Sequence, residues 1–390
     1  MTGDSVMPVE VATATGTGTM EITVSKFELL RELTATQGVV ERKTTIPILS
    51  NYLFEAAGDK LSLTATDLDL SLRTSCNAKV KKEGSCTIPA RKLYDYVRLL
   101  PDADLTIKLL ENYWVSIRCG RSNTKMVGMA KSNFPTLPVL PAAAMVPIPA
   151  QVLRAMIAKT GFAIANEESR YTLNAALMVL KPESITMVAT DGHRLAHIER
   201  GAEKFEGVSG EMKTLVPKKA MDELKSLVDA SEVETIEFAK DESTLFFRVG
   251  PRLLTSRQLT GQFPNFEAVL PKDNTKLVTL NGEDFNAAIQ RVAQFSDERS
   301  RAVRLKLDKG ELKLSASSTE TGESEDSLET PYNGESLAIG FNAGYLLDFL
   351  KAVGAGDVSL ELKDPQSAGQ LRPLGSEDYK YRYIVMPMRI

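Results

Sequence analysis

The sequence predicts an α+β protein made of three repeated domains, in each of which two helices pack on antiparallel β-sheet. Two observations predict this fold class. The segments "FPTLPVLP" (134–141) and "FPNFEAVLP" (263–271) share the same Pro-rich pattern, which begins with Phe-Pro and ends with Val-Leu-Pro. The stretches between and around these two marks can be placed under one another as three copies of one pattern, which is the signature of internal repetition.

Each copy opens with a short β run followed by an amphipathic helix, at 20–40, 145–165 and 277–296. Residues that suit a helix start, where backbone N–H groups are free, precede each helix. Apolar residues then recur at helical spacing. The helix starts are Ser25, Pro149 and Asn281, and the apolar positions are Phe27, Leu30, Leu33, Leu153, Met156, Ile157, Phe285, Ala288 and Ile289.

The middle of each copy shows alternating strands separated by polar turns, at 48–74, 172–199 and 302–329. The alternation predicts half-buried antiparallel hairpins. It is clearest in the third copy, at Leu305, Leu307, Leu312 and Leu314.

Each copy closes with a strand, a second helix and two-strand stretches, beginning at 87–101, 215–228 and 339–353. The repeated unit therefore reads β-α-β-β-β-α-β-β-β. The Pro-rich marks end the first two copies, because proline fixes φ and removes a ladder donor. The predicted organisation is a disordered N-terminal extension at 1–19 and domains at 20–141, 142–272 and 273–390.

Composition restricts the class of protein. The chain has 390 residues, 43% of them hydrophobic and 25% charged, which predicts a globular protein of several domains. It lacks the run of about 18 apolar residues that a membrane span requires. The formal net charge of −4 disfavours ordinary surface binding to nucleic acid. Three cysteines without a CxxC motif favour a reducing cytoplasm.

The chain has 2 histidines, His193 and His197, and both lie in "TDGHRLAHIE". On a helix they would share a face and could form an acid/base or metal pair. Gly192 and the β-branched flanks favour strand, turn and strand instead, which would place the imidazoles about 13 Å apart. We therefore predict no catalytic residue, no metal and no cofactor. A His-dependent hydrolase and a general protein-interaction scaffold remain alternatives.

Four segments carry a resemblance to a known family. They are "PARKLYD" (89–95), "ATDGHRLA" (189–196), "GFNAGY" (340–345) and "YIVMPMRI" (383–390). With the threefold repeat, the chain from residue 20 onward resembles the bacterial DNA polymerase III β sliding clamps. The resemblance implies a head-to-tail homodimer whose six domains form a ring around double-stranded DNA. It also implies a cytoplasmic, non-catalytic processivity factor of DNA replication.

The resemblance implies a groove between the second and third domains that takes a peptide from partner proteins. Those partners are DNA polymerase III alpha and other polymerases, the clamp loader, and clamp-binding proteins of mismatch-repair and ligase type. The matching residues are Arg170, Leu173, Thr190, Gly192, His193, Arg194, Leu195, Pro264, Val269, Asn342, Tyr345, Val385, Met386, Pro387, Met388 and Arg389. Ala268 departs from the family, whose members often carry a basic residue there, which leaves the charge of that side of the groove open.

A sliding ring must contact phosphates without reading bases. The expected DNA-binding residues are Lys43, Arg91, Lys92, Arg154, Tyr171, Lys218 and Lys219. The basic residues among them also fit an ordinary solvated helix face.

Closure of the ring requires two different, complementary edges. The resemblance implies a dimer interface formed by Arg121, Met126, Gln294, Phe295, Glu320, Glu323 and Glu325. An acidic loop in water is the alternative for the last three of these residues.

Overall fold

The computed structural model describes residues 19–41, 44–142, 144–167, 171–201, 204–375 and 378–389. In these ranges the α-helices are α1 (Lys26–Ala35), α2 (Ala90–Leu99), α3 (Ala150–Thr160), α4 (Lys218–Asp229), α5 (Gly282–Ala293) and α6 (Ala343–Val353). Short 3₁₀ helices lie at Pro47–Ser50, Glu111–Tyr113, Lys131–Asn133, Gly161–Ala163, Tyr171–Leu173 and Phe266–Ala268.

The strands follow the three copies. The first copy has β1 (Glu21–Ser25), β2 (Asn51–Ala57), β3 (Lys60–Thr66), β4 (Leu70–Asn77), β5 (Lys79–Lys82), β6 (Gly84–Pro89), β7 (Asp104–Leu109), β8 (Trp114–Cys119) and β9 (Ser122–Val127). The second has β10 (Val146–Pro149), β11 (Ala175–Lys181), β12 (Ser184–Thr190), β13 (Arg194–Gly201), β14 (Met212–Pro217), β15 (Thr235–Lys240), β16 (Thr244–Val249) and β17 (Arg252–Arg257). The third has β18 (Lys276–Asn281), β19 (Ala302–Asp308), β20 (Glu311–Ser318), β21 (Gly322–Glu329), β22 (Leu337–Asn342), β23 (Asp357–Leu362), β24 (Gly369–Pro373) and β25 (Lys380–Val385).

The chain divides into two compact units. The first unit is Met1–Val139 with Gly250–Thr255, and the second is Leu140–Val249 with Ser256–Ile390. In the first unit one sheet has the order β5-β1-β7-β8-β9, while β4, β3, β2 and β6 pair antiparallel in that order.

The second unit joins the second and third copies. One sheet runs β14-β11-β12-β13-β25-β24-β23-β18, another runs β21-β20-β19-β22, and β10, β15 and β16 pair in that order. The strand that follows the "TDGH" turn, β13, pairs antiparallel with the C-terminal strand β25. Distant parts of the sequence therefore meet at the β13–β25 border.

The threefold repeat is confirmed, with one difference in strand number. The predicted unit has three strands between its two helices. The structure has four in the second and third copies and five in the first. The strand that leads into the second helix, which the sequence places at the start of each closing segment, brings the count to four. It also pairs back on the first strand of its group, as β14 does on β11 and β22 on β19. It therefore satisfies the outer edge of that strand.

The predicted hairpin of the third copy is confirmed. β19 and β20 pair antiparallel, with Leu305 opposite Leu314 and Leu307 opposite Leu312. All four leucines are buried, while their strand neighbours are largely more exposed. The alternation in the sequence is thus the alternation of an inner and an outer sheet face.

The helix starts are also confirmed. Ser25, Pro149 and Asn281 are the residues that directly precede α1, α3 and α5. Only Asn281 among these three caps its helix with the side chain. Its Oδ1 accepts hydrogen bonds from the backbone N–H groups of Glu283 (3.1 Å) and Asp284 (3.2 Å).

The apolar stripe predicted for α1 is partly wrong. Phe27 is 66% exposed, whereas Glu32 is fully buried. The Glu32 carboxylate accepts hydrogen bonds from Thr74 Oγ1 (2.6 Å), Arg252 Nε (2.9 Å) and Arg31 Nε (2.7 Å). A buried charge therefore lies on the inner face of this helix, because donors from three side chains replace its water.

Candidate functional site

The turn between β12 and β13 is fixed by its own side chains. Asp191 Oδ1 accepts hydrogen bonds from the backbone N–H groups of His193 (2.9 Å) and Arg194 (3.0 Å). Thr190 Oγ1 accepts from Gly192 N–H (3.1 Å) and donates to the Arg194 carbonyl (2.6 Å). Gly192 has φ 89°, a left-handed conformation that favours glycine. The turn exposes His193 and directs Arg194 inward.

Arg194 is the most constrained charged residue near this turn. Its side chain is 10% exposed. Its guanidinium donates to Asp191 Oδ2 (3.0 Å), Asp348 Oδ2 (2.5 Å) and the Phe162 carbonyl (2.6 Å). It also lies over the Tyr345 ring, 4.5 Å from the centroid. Arg194 therefore has a single orientation, which supports the neighbouring pocket.

A largely apolar pocket of about 140 Å³ opens beside Arg194. It is lined by Leu173, Thr190, Gly192, Arg194, Leu195, Pro264, Phe266, Val269, Ile384 and Met386. Apolar walls with a few fixed polar groups suit a hydrophobic side chain of a ligand.

The pocket is built from Leu173, the turn at 190–192, the β13–β25 border and the segment 264–270. Its floor is the β13–β25 border, where Leu195 lies opposite Ile384. The chain continues past β25, and the backbone N–H of Met386 donates to the His193 carbonyl (2.9 Å). The segment 264–270 forms another wall of the pocket. It follows Phe263, which is buried in the same apolar cluster as Leu195 and Ile384. We call this segment the linker wall.

Much of the predicted peptide groove comes together here. The predicted residues that line the pocket are Leu173, Thr190, Gly192, Arg194, Leu195, Pro264, Val269 and Met386. Tyr345 contacts the pocket residue Arg194 through its ring. Sequence reasoning missed Phe266 and Ile384. The first stands in the repeated "FPNFEAVLP" mark, and the second precedes Met386 by two residues in an alternating strand, so both had a usable signal.

Several predicted groove residues lie elsewhere. Asn342 caps α6, because its Oδ1 accepts from the Tyr345 backbone N–H (3.3 Å) and its Nδ2 donates to the Ser300 carbonyl (3.2 Å). Val385 is fully buried in the sheet. Arg170 lies outside the described residues.

The last predicted groove residues, Pro387, Met388 and Arg389, line a separate cavity of about 760 Å³. The backbone N–H of Met388 donates to the Gly340 carbonyl (2.8 Å) in that region. The C-terminal segment thus contributes to two neighbouring cavities.

The two histidines lie in a strand-turn-strand segment, as predicted, and do not share a helix face. His193 is exposed in the turn, while His197 is buried within β13. Burial lowers the pKa of His197, so its imidazole is neutral at pH 7. The His197 ring packs against Phe266, with 5.5 Å between ring centroids.

The residues predicted to bind DNA differ in how they are held. The Arg91 side chain is 81% exposed and its Nε lies 4.0 Å from Asp95 Oδ2, and Lys92 and Lys219 are exposed as well. Tyr171 is 53% exposed. Lys43 lies outside the described residues.

Two further predicted DNA-binding residues have protein partners. Lys218 Nζ lies 3.5 Å from Asp222 Oδ2. Arg154 donates to the Val228 carbonyl (2.7 Å) and pairs with Asp229 (3.3 Å), so it caps the C-terminal end of α4.

The residues predicted for the dimer interface lie at sheet edges or close to one. β9 is the edge strand of its sheet in the first unit and carries Lys125 and Met126, with Arg121 just before it. β21 is the edge strand of its sheet in the second unit and carries Glu323 and Glu325. Glu320 precedes β21, and Gln294 and Phe295 follow α5 directly.

The sequence matches three domain families in succession. They are the N-terminal domain of the DNA polymerase III beta subunit at residues 20–138, the central domain at 147–265 and the C-terminal domain at 267–389. The chain belongs to the DNA polymerase III beta subunit family. The predicted fold class, three repeated α+β clamp domains, is thereby confirmed.

Relatives and solved structures agree with this assignment. The chain is 36% identical to the beta sliding clamp of Caulobacter vibrioides over 377 residues, which cover 95% of this chain and 100% of the relative. It is similar to a crystal structure of the C. crescentus clamp at TM-score 0.89 and 35% identity, covering 96% and 100% of the two chains. A Bartonella birtlesii clamp bound to griselimycin gives TM-score 0.90 at 33% identity, with coverage of 95% and 100%.

The protein is a DNA sliding clamp, a processivity subunit of DNA polymerase III without catalytic activity of its own. This confirms the function predicted from the sequence and decides against both alternatives, the His-dependent hydrolase and the general scaffold. Among the described residues, no helix is long and apolar enough to span a membrane.

Proposed function

We propose that the apolar pocket captures the hydrophobic anchor of an extended peptide from each protein that the clamp tethers. The partners are DNA polymerase III alpha, other polymerases, the clamp loader, and clamp-binding proteins of mismatch-repair and ligase type. The observation that carries this proposal is the meeting of fixed Arg194, apolar Leu195 and adaptable Met386 around one opening. Flexible, polarizable Met at the rim suits a site that several partners share.

Structures of relatives support the pocket as a tethering site. A PEG molecule occupies a proposed beta-motif tethering region in the C. crescentus clamp. Griselimycin is bound to the clamps of Pseudomonas aeruginosa and Bartonella birtlesii. Ligands bound to related clamps are consistent with a ligand pocket in this chain.

The same proposal includes ring closure by two copies of the chain. The basic edge β9 of one copy would meet the acidic edge β21 of the other, with Met126 packing against Gln294 and Phe295. Arg121 on one edge and Glu320, Glu323 and Glu325 on the other are complementary in charge, which steers assembly and register. Domains at 20–141, 142–272 and 273–390 and a cytoplasmic location belong to this proposal.

DNA would lie in the centre of the ring, held without base contacts. In the proposal, exposed Arg91, Lys92 and Lys219 contact phosphates together with Tyr171, Lys218 and Lys43. Arg154 would contribute mainly through α4, whose C-terminal end it caps. Attachment by encirclement raises the effective concentration of the polymerase at the primer end.

The pocket is tested with the variant Val269→Ala/Met386→Ala. Truncation of two pocket side chains should weaken binding of DNA polymerase III alpha by about 10-fold to 100-fold, measured by isothermal titration calorimetry. Griselimycin should compete with the polymerase subunit for the wild-type clamp.

The matched control is Val139→Ala, which truncates a valine that is 79% exposed and lies outside the pocket. Equal affinities of the pocket variant and this control for the polymerase subunit would contradict the assignment of the pocket.

A further inference from the structure

The linker wall borders two cavities. Phe266 lines both the apolar pocket and a polar cavity of about 390 Å³, and with Leu270 it packs against the apolar cluster that contains Leu195 and Ile384. That second cavity is lined by polar and charged side chains that include His197, Glu199 and Arg382. Contacts at the two ends of the wall add to this packing.

The N-terminal end of the wall is fixed by burial. Phe263 is 9% exposed and belongs to the cluster that contains Leu195 and Ile384. Beyond it, the wall leaves the sheet and forms only the short 3₁₀ helix Phe266–Ala268. The backbone N–H of Val269 donates to the Phe266 carbonyl (3.0 Å), which is a local bond that does not tie the wall to the sheet.

The C-terminal end of the wall is fixed by a polar chain across three strands. Arg382 on β25 donates from Nη2 to the Pro271 carbonyl (2.9 Å) and from Nε to Gln370 Oε1 (2.6 Å). Gln370 on β24 donates in turn to Glu361 Oε2 on β23 (2.5 Å). Gln370 and Glu361 are both buried. Arg382 therefore connects a buried part of the sheet to Pro271, at the end of the linker wall.

A second tie follows a few residues later. Asn274 Nδ2 donates to the carbonyls of Glu361 (2.9 Å) and Ala368 (3.2 Å). These two bonds hold the chain beyond Pro271. The Arg382 bond holds Pro271 itself, which directly follows the wall. Arg382 is therefore the side chain best placed to set the position of Val269 and Phe266.

We propose that Arg382 is a positioning residue of the partner-binding pocket: it holds the linker wall at Pro271 and so keeps the pocket in its binding shape. Arg382 does not line the apolar pocket itself. Its guanidinium suits this role because it can donate to the linker and to Gln370 at once in a fixed fork. The inference rests on the proposed function of the pocket.

The first measurement concerns the wall and needs no ligand. Hydrogen–deuterium exchange of the full-length clamp is compared for wild type, Arg382→Gln and the control Arg248→Gln, whose parent arginine pairs with Glu237 on the neighbouring strand. We expect faster exchange at 265–270 in Arg382→Gln alone, with the amides of β13 unchanged. Unchanged exchange at 265–270 would overturn the proposal.

The second measurement separates positioning from general destabilisation. Arg382→Gln should weaken griselimycin and DNA polymerase III alpha binding by about 5-fold to 20-fold. Arg382→Lys should recover part of the loss, because an ammonium group can still donate to the Pro271 carbonyl but lacks the fixed fork that reaches Gln370 at the same time. Equal losses in the glutamine and lysine variants would count against a role for the linker bond.

A double-mutant cycle with Val269→Ala completes the test. If Arg382 acts through the wall, the effect of Arg382→Gln should shrink to less than about 3-fold in the Val269→Ala background. Fully additive losses would overturn the proposal. If Val269→Ala alone leaves both affinities unchanged, the pocket assignment fails and this inference fails with it, whereas a failed cycle with an intact Val269→Ala effect refutes Arg382 only.

Discussion

Glu32 shows how one residue in the first unit depends on partners far away in sequence. Burial alone would raise the pKa of its carboxyl, but hydrogen bonds from Arg252, Thr74 and Arg31 lower it below the ordinary value. A carboxyl whose folded pKa is lowered stabilises the fold above its unfolded pKa of about 4.3. That contribution is lost as the pH falls through the folded pKa.

The variant Glu32→Gln tests this linkage. We expect it to lower the free energy of unfolding at pH 7 and to flatten the loss of stability between about pH 5 and pH 3. Urea unfolding can be followed by fluorescence of Trp114, since the sequence has 1 tryptophan and it lies in the first unit. An acid limb as steep as that of the wild type would contradict the assignment.

Removal of Arg252, the buried partner of Glu32, should reduce the free energy of unfolding more than removal of an arginine from an exposed ion pair. Arg252→Met leaves a buried carboxylate without one of its charged donors, and we expect the free energy of unfolding to fall by about 3–5 kcal/mol. Arg248→Met breaks the more exposed pair with Glu237 and should cost about 0–1 kcal/mol. The two variants are compared by differential scanning calorimetry, and similar losses in both would show that the buried pair is not special.

At the scale of single elements, the helix starts differ in chemistry although they look alike in sequence. Asn281 caps α5 with two hydrogen bonds from its side-chain oxygen. Ser25 precedes α1 without a side-chain capping bond. The backbone already has an extended conformation at both residues, so the position of the helix start does not require the cap, but the stability of the first turn does.

The pair Asn281→Ala and Ser25→Ala therefore gives a matched comparison. Asn281→Ala should reduce stability by about 1 kcal/mol, while Ser25→Ala should change it by less than about 0.5 kcal/mol. Hydrogen exchange in the first turn of α5 should rise in the first variant. Equal effects of the two substitutions would show that the Asn281 bonds contribute little.

At the scale of the whole molecule, the two edge strands predict how copies associate. Glu323→Lys/Glu325→Lys should weaken the dimer at least 10-fold, since like charges would then face each other across the joint. Analytical ultracentrifugation at low salt measures the change. The compensating variant Arg121→Glu/Lys125→Glu in the other partner should restore association, and a failure to restore it would place the interface elsewhere.

Encirclement itself has a topological test. Clamps loaded on nicked circular plasmid should stay bound at moderate salt and leave once the plasmid is cut to a linear form, because a threaded ring slides off the ends. Gel filtration of the protein–DNA complex measures retention. Retention on linear DNA equal to that on circular DNA would indicate surface binding.

The repeat architecture could be predicted from local patterns. Alternation at Leu305 and Leu307, and helix starts such as Asn281, follow from neighbouring residues and backbone geometry. The pocket was predicted in large part because its turn, "ATDGHRLA", and its C-terminal strand are contiguous motifs. The prediction that Phe27 faces the core was wrong. The apolar pattern of α1 takes a charged residue such as Glu32 as exposed, whereas Glu32 lies on the buried face of the helix and Phe27 does not.

The sequence alone thus determined the three copies, their element types and the family, because these depend on local periodicity and short motifs. Only the tertiary structure decided which side chains share a site. The burial of Glu32 requires Arg252, and the linker wall requires Arg382. Such contacts join residues far apart in the chain, and local propensity carries no information about which distant donor will reach a buried acceptor.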